Sequence, residues 1–372
     1  MKQEVREVPL SGPYLGGREE ELVLEVMRSG RLSLGPTIDR FEKLVAERVG
    51  APYAAAVSSG TAGLHLLCVA AGIRPGDEVI TSPYSFAASA NCFVYEGGVP
   101  VFADIDPRTL NLDPAAVEAA VTPRTKAIVA VDIYGYPCEL DALEAVAARH
   151  GLRLIQDSCE ALGAEYRGAP LGSHGTSCVF AFYPNKQITT GEGGVVTTHS
   201  EEEWRLVRSL RNQGRGDEGG WLEHVRLGFN YRIDDIRAAI GIGQLEQLDE
   251  ILALRSSVAR RYDELLSGIA GVELPCQDDR THRRSWFVYV VLLRDGATRE
   301  RVIGVLEREG IGYNRYLPSI HLQPYMRERY GFGEGMCPVS EDVSSRSLAL
   351  PFFTALTPAA QERVAEVLAI TA

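Results

Sequence analysis

YAAAVSSGTAGLHLLCVAAG, residues 53–72, sets the pattern by which the rest of the chain can be read. A short apolar run, Tyr53–Val57, meets the turn SSGT and passes into a helical run that ends on glycine. The same alternation recurs downstream. DEVITSP reads as a strand, SFAASANCFVYEG as a helix, and VPVFADID as a strand ending in acids. TKAIVAVDIYG is a strand, DALEAVAARHG a helix, and LRLIQDSCEALG a strand with its exit loop. TSCVFAFYP and GEGGVVTT supply two more strands. Short apolar runs alternating with longer helices predict an α/β fold, a largely parallel sheet covered by helices. Sites in such sheets gather at the carboxyl ends of the strands, which is where SSGT, SPYSF, DIYG and QDSCE fall.

Working outward, EEELVLEVMRSG and TIDRFEKLVAERVG read as helices stopped by Gly30 and Gly50. Together these segments predict one large domain over residues 13–245. The run from Ile233 to Leu266 reads as one long helix leaving that domain, with Gly241 and Gly243 offering a bend or a close helix contact. Residues 246–372 then read as a small α+β domain. SWFVYVVLL is its strand, TRERVIGVLEREG a helix, and TPAAQERVAEVLAI a last helix opened by a threonine-proline start.

The 372 residues are 45% hydrophobic, which excludes global disorder, and the formal charge of −12 disfavours a nucleic-acid surface. The N-terminus carries acids and no apolar core segment, and no run approaches the roughly 18–20 apolar residues of a membrane span. A cytoplasmic protein without a membrane partner is expected. Seven cysteines lack CxxC spacing and seven histidines lack ligand spacing, so neither a disulfide framework nor a metal site is predicted. The basic residues are lopsided: only Lys2, Lys43, Lys126 and Lys186 are lysine, and the rest are arginine. Arginine does not form imines, so amine chemistry has few candidates.

Lys186, in FAFYPNKQITTGEGG, follows an apolar strand and precedes a glycine turn, where an amine can lose its proton and attack an aldehyde. Lys2 sits in the tail, Lys43 beside Glu42 on a helix, and Lys126 just before a strand, so elimination favours Lys186. Asp157 ends its strand and could pair with a protonated pyridine nitrogen, or cap the next turn. Gly60 and Thr61, at a strand-to-helix junction, could hold a phosphate, although SSGT alone is a common turn. Phe86 could stack on a flat ring or fill the core. Taken together, a lysine, a strand-end aspartate, a phosphate turn and a stacking ring describe a pyridoxal phosphate site.

The chain closely resembles the DegT/DnrJ/EryC1/StrS family of pyridoxal-phosphate-dependent sugar aminotransferases. The likeness runs through LSLGPTIDRFE, AVSSGTAGLHL, GIRPGDEVITSPYSFAASAN, QDSCEALGA, FAFYPNKQITTGEGG, LGFNYRIDDIRAAIGIGQL and PSIHLQPY. The resemblance implies a type I aminotransferase fold acting as a homodimer with shared active sites. Lys186 would hold the cofactor, Asp157 its pyridine nitrogen, Gly60 and Thr61 its phosphate, and Phe86 its ring. Glu160 matches a position beside the phenolic oxygen, and Asn230 one that reaches the phosphate from the neighbouring subunit. The segment from Tyr313 to Tyr325, particularly His321, would border the sugar-nucleotide entrance. One departure stands out: the family commonly has a serine five residues before the lysine, and here that residue is Ala181. Ser59, Thr61 or a water is expected to replace its hydroxyl.

The implied reaction moves an amino group from L-glutamate, or glutamine, to a nucleotide-linked keto-sugar. Glu160 resembles the perosamine-forming branch, which favours a 4-keto-6-deoxyhexose. A 3-keto sugar or a keto-cyclitol is the second reading. A sugar dehydratase is a third, although related dehydratases carry histidine where Lys186 stands. A non-catalytic regulatory protein would leave Lys186 without a task.

Overall fold

The alternation of apolar runs and helices builds one mixed sheet with helices on both faces. A computed structural model describes residues 7–216 and 223–372; Lys2 lies outside them. The chain opens with α1 (Gly17–Ser29) and α2 (Pro36–Val49), each stopped by a left-handed glycine, Gly30 and Gly50. β1 (Tyr53–Val57), α3 (Gly60–Ala70), β2 (Glu78–Thr81), α4 (Ala88–Val94), β3 (Val99–Phe102) and α5 (Pro114–Ala120) follow. Next come β4 (Thr125–Val131), α6 (Leu140–His150), β5 (Arg153–Asp157), and the short β6 (Glu165–Tyr166) and β7 (Ala169–Pro170). β8 (Ser177–Ala181), β9 (Gly194–Thr198) and α7 (Glu201–Arg211) complete this half.

The large sheet has the order β1-β9-β8-β5-β4-β2-β3. β3, β2, β4, β5 and β8 pair in parallel, whereas β9 runs antiparallel to both its neighbours. Register brings the candidate residues to one edge. Gly194 lies opposite both Val57 and Ala181, while Asp157 lies opposite Val131 and Val179. One face of the sheet packs Phe41, Val45, Leu143, Phe180 and Ile242; the other packs Leu64, Leu67, Phe93 and Val207. Each such buried side chain contributes about 1.5–3 kcal/mol before conformational entropy is charged against it.

Beyond the large sheet come α8 (Asp235–Glu246), α9 (Leu248–Leu266), β10 (Val272–Glu273), β11 (His282–Arg283), β12 (Tyr289–Leu293) and α10 (Gly296–Arg308). α11 (Pro324–Tyr330), α12 (Pro338–Arg346), β13 (Ser347–Leu350) and α13 (Pro358–Thr371) finish the chain. β10-β12-β13 form a second sheet that packs Tyr262, Tyr289, Val302 and Val364, with Val8 returning from the N-terminal side to join them. Between the two sheets lies a further cluster, Tyr84, Val131, Tyr134, Phe287 and Leu317, which forms the floor of the candidate site. No described helix is long and apolar enough to cross a membrane.

The single helix expected from Ile233 to Leu266 is two. The break falls at Gln247, with φ −108° and ψ 4°, and its side-chain amide bonds Gly243 O and Glu19 Oε1 at 3.0 and 2.9 Å. The glycines serve close contact rather than the bend. A Cβ on Gly241 would lie 2.4 Å from the Phe41 ring, and one on Gly243 3.0 Å from the Glu19 side chain.

Candidate active site

Burial separates the lysines. Lys43 lies on exposed α2 surface beside Glu47, and Lys126 is exposed at the start of β4. Lys186, in the turn between β8 and β9, keeps only 13% of its side chain exposed. Its Nζ lies 3.2 Å from Glu160 Oε1 and 3.8 Å from the centre of the Phe287 ring. Glu160 is fixed in turn, because its Oε2 accepts the Tyr134 N–H at 2.9 Å. The Gln187 amide donates to Glu160 O and, at 3.0 Å, to Ser285 O. Arg255, on α9 and only 3% exposed, donates to Lys186 O at 2.8 Å and to Phe287 O at 3.2 Å. Burial lowers its guanidinium pKa to about 10, which leaves it charged at neutral pH.

Asp157 closes β5, and its carboxylate is buried against α4. Ser89 donates to Oδ2 at 2.6 Å, Cys159 N–H donates to Oδ1 at 3.2 Å, and Ser85 shares a 2.7 Å hydroxyl contact with Ser89. Burial, then the neighbouring Asp157 charge, pushes the Cys159 thiol up, so it stays protonated. The start of α3 abuts this thiol. Ser59 caps the helix, its hydroxyl taking the Ala62 N–H at 3.1 Å and its carbonyl the Gly63 N–H at 3.1 Å. The N–H groups of Gly60 and Thr61 find no acceptor among the described residues, as the first turn of a helix dictates. A Cβ on Gly60 would sit 2.7 Å from Cys159 Sγ and 2.8 Å from Ala181 Cβ. Glycine there lets the open donors sit hard against the loop leaving β5 and the end of β8, where they could receive an anion.

An aromatic wall completes the site. Tyr134 stacks on Tyr316, and Tyr316 on Phe287, with ring centres 6.3 and 6.4 Å apart. Tyr134 Oη donates to Tyr84 Oη, and Tyr84 Oη to Tyr316 O, both at 2.8 Å. Burial pushes Tyr84 and Tyr316 up to about 12, so these hydroxyls stay neutral. Phe86, just ahead of α4, is 67% exposed, far more than a core ring would be. An amine, a buried carboxylate, two open N–H donors and an uncovered aromatic ring match the aldehyde, pyridine nitrogen, phosphate and ring of pyridoxal phosphate.

The structure does not gather every residue expected here. Asn230 is exposed and bridges Asn212 through its backbone, with no hydrogen bond to Lys186, Gly60 or Thr61 among the described residues. Tyr313 is turned aside: its hydroxyl donates to Glu307 on α10 at 2.5 Å. The tyrosine of that segment which reaches the Lys186 cluster is Tyr316, with Asn185 donating to its hydroxyl at 3.4 Å. His321 does not open onto an entrance within this chain. It is 0% exposed, bonded to Glu341 Oε1 at 3.0 Å and packed on Phe102. Tyr316, Phe287, Ser89 and Arg255 are the residues that sequence reasoning missed. The serine pair at 85 and 89, four positions apart where the SPYSFAASA segment leads into α4, was the available signal.

Comparison with known proteins gives the chain its family. Residues 13–369 match the model of the DegT/DnrJ/EryC1/StrS aminotransferase family. GDP-perosamine synthase of Caulobacter vibrioides is 42% identical over 320 residues, 85% of this chain and 86% of that protein. The spore coat polysaccharide biosynthesis protein SpsC of Bacillus subtilis is 39% identical over 364 residues, 94% and 93% of the two chains. A Streptococcus pneumoniae protein solved in its PLP form superposes with a TM-score of 0.93 at 26% identity, covering 98% of each chain. The chain belongs to the DegT/DnrJ/EryC1/StrS aminotransferase family and is a pyridoxal-phosphate-dependent sugar aminotransferase.

Proposed function

We propose that this member of the family transfers the amino group of L-glutamate to a nucleotide-linked keto-sugar, with a 4-keto-6-deoxyhexose as the favoured acceptor. The observation that carries the reading is Lys186 Nζ held 3.2 Å from Glu160 Oε1 and capped by Phe287. The acceptor rests on Glu160 and on the likeness to GDP-perosamine synthase. When bound, pyridoxal phosphate supplies an electrophilic aldehyde and an electron-withdrawing ring.

The residues divide the remaining work. Lys186 Nζ would hold the aldehyde end and would take up and return the proton that the transfer moves. Glu160 Oε1 is close enough to accept that proton, and the Tyr134 N–H keeps the carboxylate aimed at the amine. The Phe287 face stabilises the amine while it is charged. Asp157 holds the ring nitrogen, itself anchored by Ser89 and Cys159 N–H. Gly60 and Thr61 N–H groups hold the phosphate. Ser59 uses a lone pair on Ala62 N–H, so its hydroxyl proton is available to replace the serine that Ala181 lacks.

Phe86 covers the ring, and Tyr316 lines the sugar side. A homodimer brings Asn230 to the partner's phosphate; the exposed Leu34, Val225 and Leu227 support a subunit contact. The same reading takes residues 13–245 as the cofactor-binding body and 246–372 as the smaller one.

The test begins with borohydride reduction of the loaded protein and peptide mapping, which should place the pyridoxyl group on Lys186 and lose it in Lys186→Ala. Glutamate should convert the visible spectrum to that of the amine form. A panel of nucleotide 4-keto and 3-keto sugars then identifies the acceptor by product mass and regiochemistry. A loaded protein that takes nitrogen from neither glutamate nor glutamine sinks the reading.

A further inference from the structure

We infer that Arg255 is a positioning residue that sets the placement of the Lys186 amine through two main-chain carbonyls, an inference that rests on Lys186 carrying the cofactor. Lys186 belongs to the turn between β8 and β9, and Phe287 to the segment entering β12. These are separate elements, yet the amine of one lies on the ring of the other at 3.8 Å. One guanidinium holds both: Nη2 donates to Lys186 O at 2.8 Å and Nη1 to Phe287 O at 3.2 Å.

The chemistry of the residue argues against mere filling. Arg255 is buried on α9, and no carboxylate of the described residues pairs with it. Its Nε has no acceptor among the described residues, and its guanidinium carbon lies 5.7 Å from the centre of the Phe352 ring. Burying a cation without an anion is expensive, and an apolar side chain would fill the space more cheaply. What only a planar fork supplies is two donors at a fixed angle, one for each carbonyl. Fixing those carbonyls fixes the two main chains from which the lysine amine and its aromatic cap project. Proton transfer by a side chain depends steeply on such placement.

The experiment uses the loaded enzyme and its Arg255→Met and Arg255→Lys variants. Borohydride trapping measures how much cofactor sits on Lys186. Visible circular dichroism, which reports the asymmetry around the cofactor, and the kinetic constants are then normalised to that amount. Arg255→Met should still trap on Lys186. Its kcat per bound cofactor should fall about 10- to 100-fold while KM moves less than about threefold, with a reduced dichroic signal. Arg255→Lys keeps the charge but reaches only one carbonyl, so it should fall between.

Wild-type kcat and dichroism per bound cofactor in Arg255→Met, with only a lower melting temperature, would make the residue structural and overturn the inference. Should Arg255→Met fail to fold, Arg255→Lys decides: wild-type values there show that charge alone matters, and the fork is refuted. Failure of the underlying reading looks different, because wild-type protein would then show no pyridoxyl group on Lys186.

Discussion

Adding one methyl group to Gly60 tests whether the start of α3 is the anion cradle. The ideal Cβ falls 2.7 Å from Cys159 Sγ and 2.8 Å from Ala181 Cβ, and neither atom lies on a long flexible side chain. Ordinary contact between such atoms begins near 3.5 Å, so the helix start must withdraw by roughly 0.8 Å. A hydrogen bond from Gly60 or Thr61 N–H, normally about 2.9 Å, would lengthen beyond its useful range. Each charge-assisted bond lost costs about 1.5–3 kcal/mol, or roughly 10- to 150-fold in affinity. Overpacking adds about 1–3 kcal/mol against the folded state.

Gly60→Ala should therefore bind pyridoxal phosphate at least about tenfold more weakly, measured by equilibrium dialysis or by quenching of intrinsic fluorescence. Its melting temperature should also fall. Cys159→Ala removes the nearer obstacle but leaves Ala181, so the double variant should recover part of the affinity. A Gly60→Ala protein with wild-type affinity would show that the phosphate does not depend on this turn, and the placement of the cofactor would fail with it.

Three further outcomes follow from the same geometry. Asp132 is fully buried and burial raises its pKa from 3.8 to about 6; because the folded form holds the proton more tightly, stability falls as pH rises from about 4 to 6, by about 3 kcal/mol at most. Asp132→Asn keeps an acceptor for the Cys138 N–H and should flatten that slope in urea titrations across this range. Ser89→Ala removes the 2.6 Å donor to Asp157 and should weaken cofactor binding by about tenfold or more, with a smaller change in melting temperature. Tyr316→Phe should raise KM for the sugar, whereas Tyr313→Phe, whose hydroxyl meets Glu307 and Arg315 rather than the Lys186 cluster, should leave it unchanged. The reverse order would return the sugar side to Tyr313.

The site's main-chain scaffold was legible because it depends on where strands end. Asp157, Ser59, Gly60 and Lys186 are all anchored to strand ends, and apolar run length locates such ends well. Phe287 was hidden inside SWFVYVVLL, where a strand reading makes every ring a core ring. In YNRY the sequence reading singles out Tyr313; only the fold shows that Tyr316 joins the ring stack while Tyr313 reaches α10. Arg255 sits amid a helical run rich in arginine, with nothing local to mark it as the buried one. The helix break at Gln247 escaped for a related reason. It answers to Glu19, more than two hundred positions upstream, and not to any breaker in its own segment.

Lys186 therefore gains its character from four separate elements. β5 and its exit loop bring Glu160, β4's exit brings the Tyr134 N–H that holds Glu160, the approach to β12 brings Phe287, and α9 brings Arg255. Two of these belong to the large sheet and two to the part of the chain that builds the small one. The amine is thus placed only once both sheets have docked, through the cluster of Tyr84, Tyr134, Phe287 and Leu317 between them. Lysine scarcity singles out which residue can react, but the docking of the two sheets decides where its nitrogen stands. Substitutions that loosen that junction should act on proton transfer before they act on cofactor content, since Asp157 and the start of α3 lie wholly within the large sheet's own contacts.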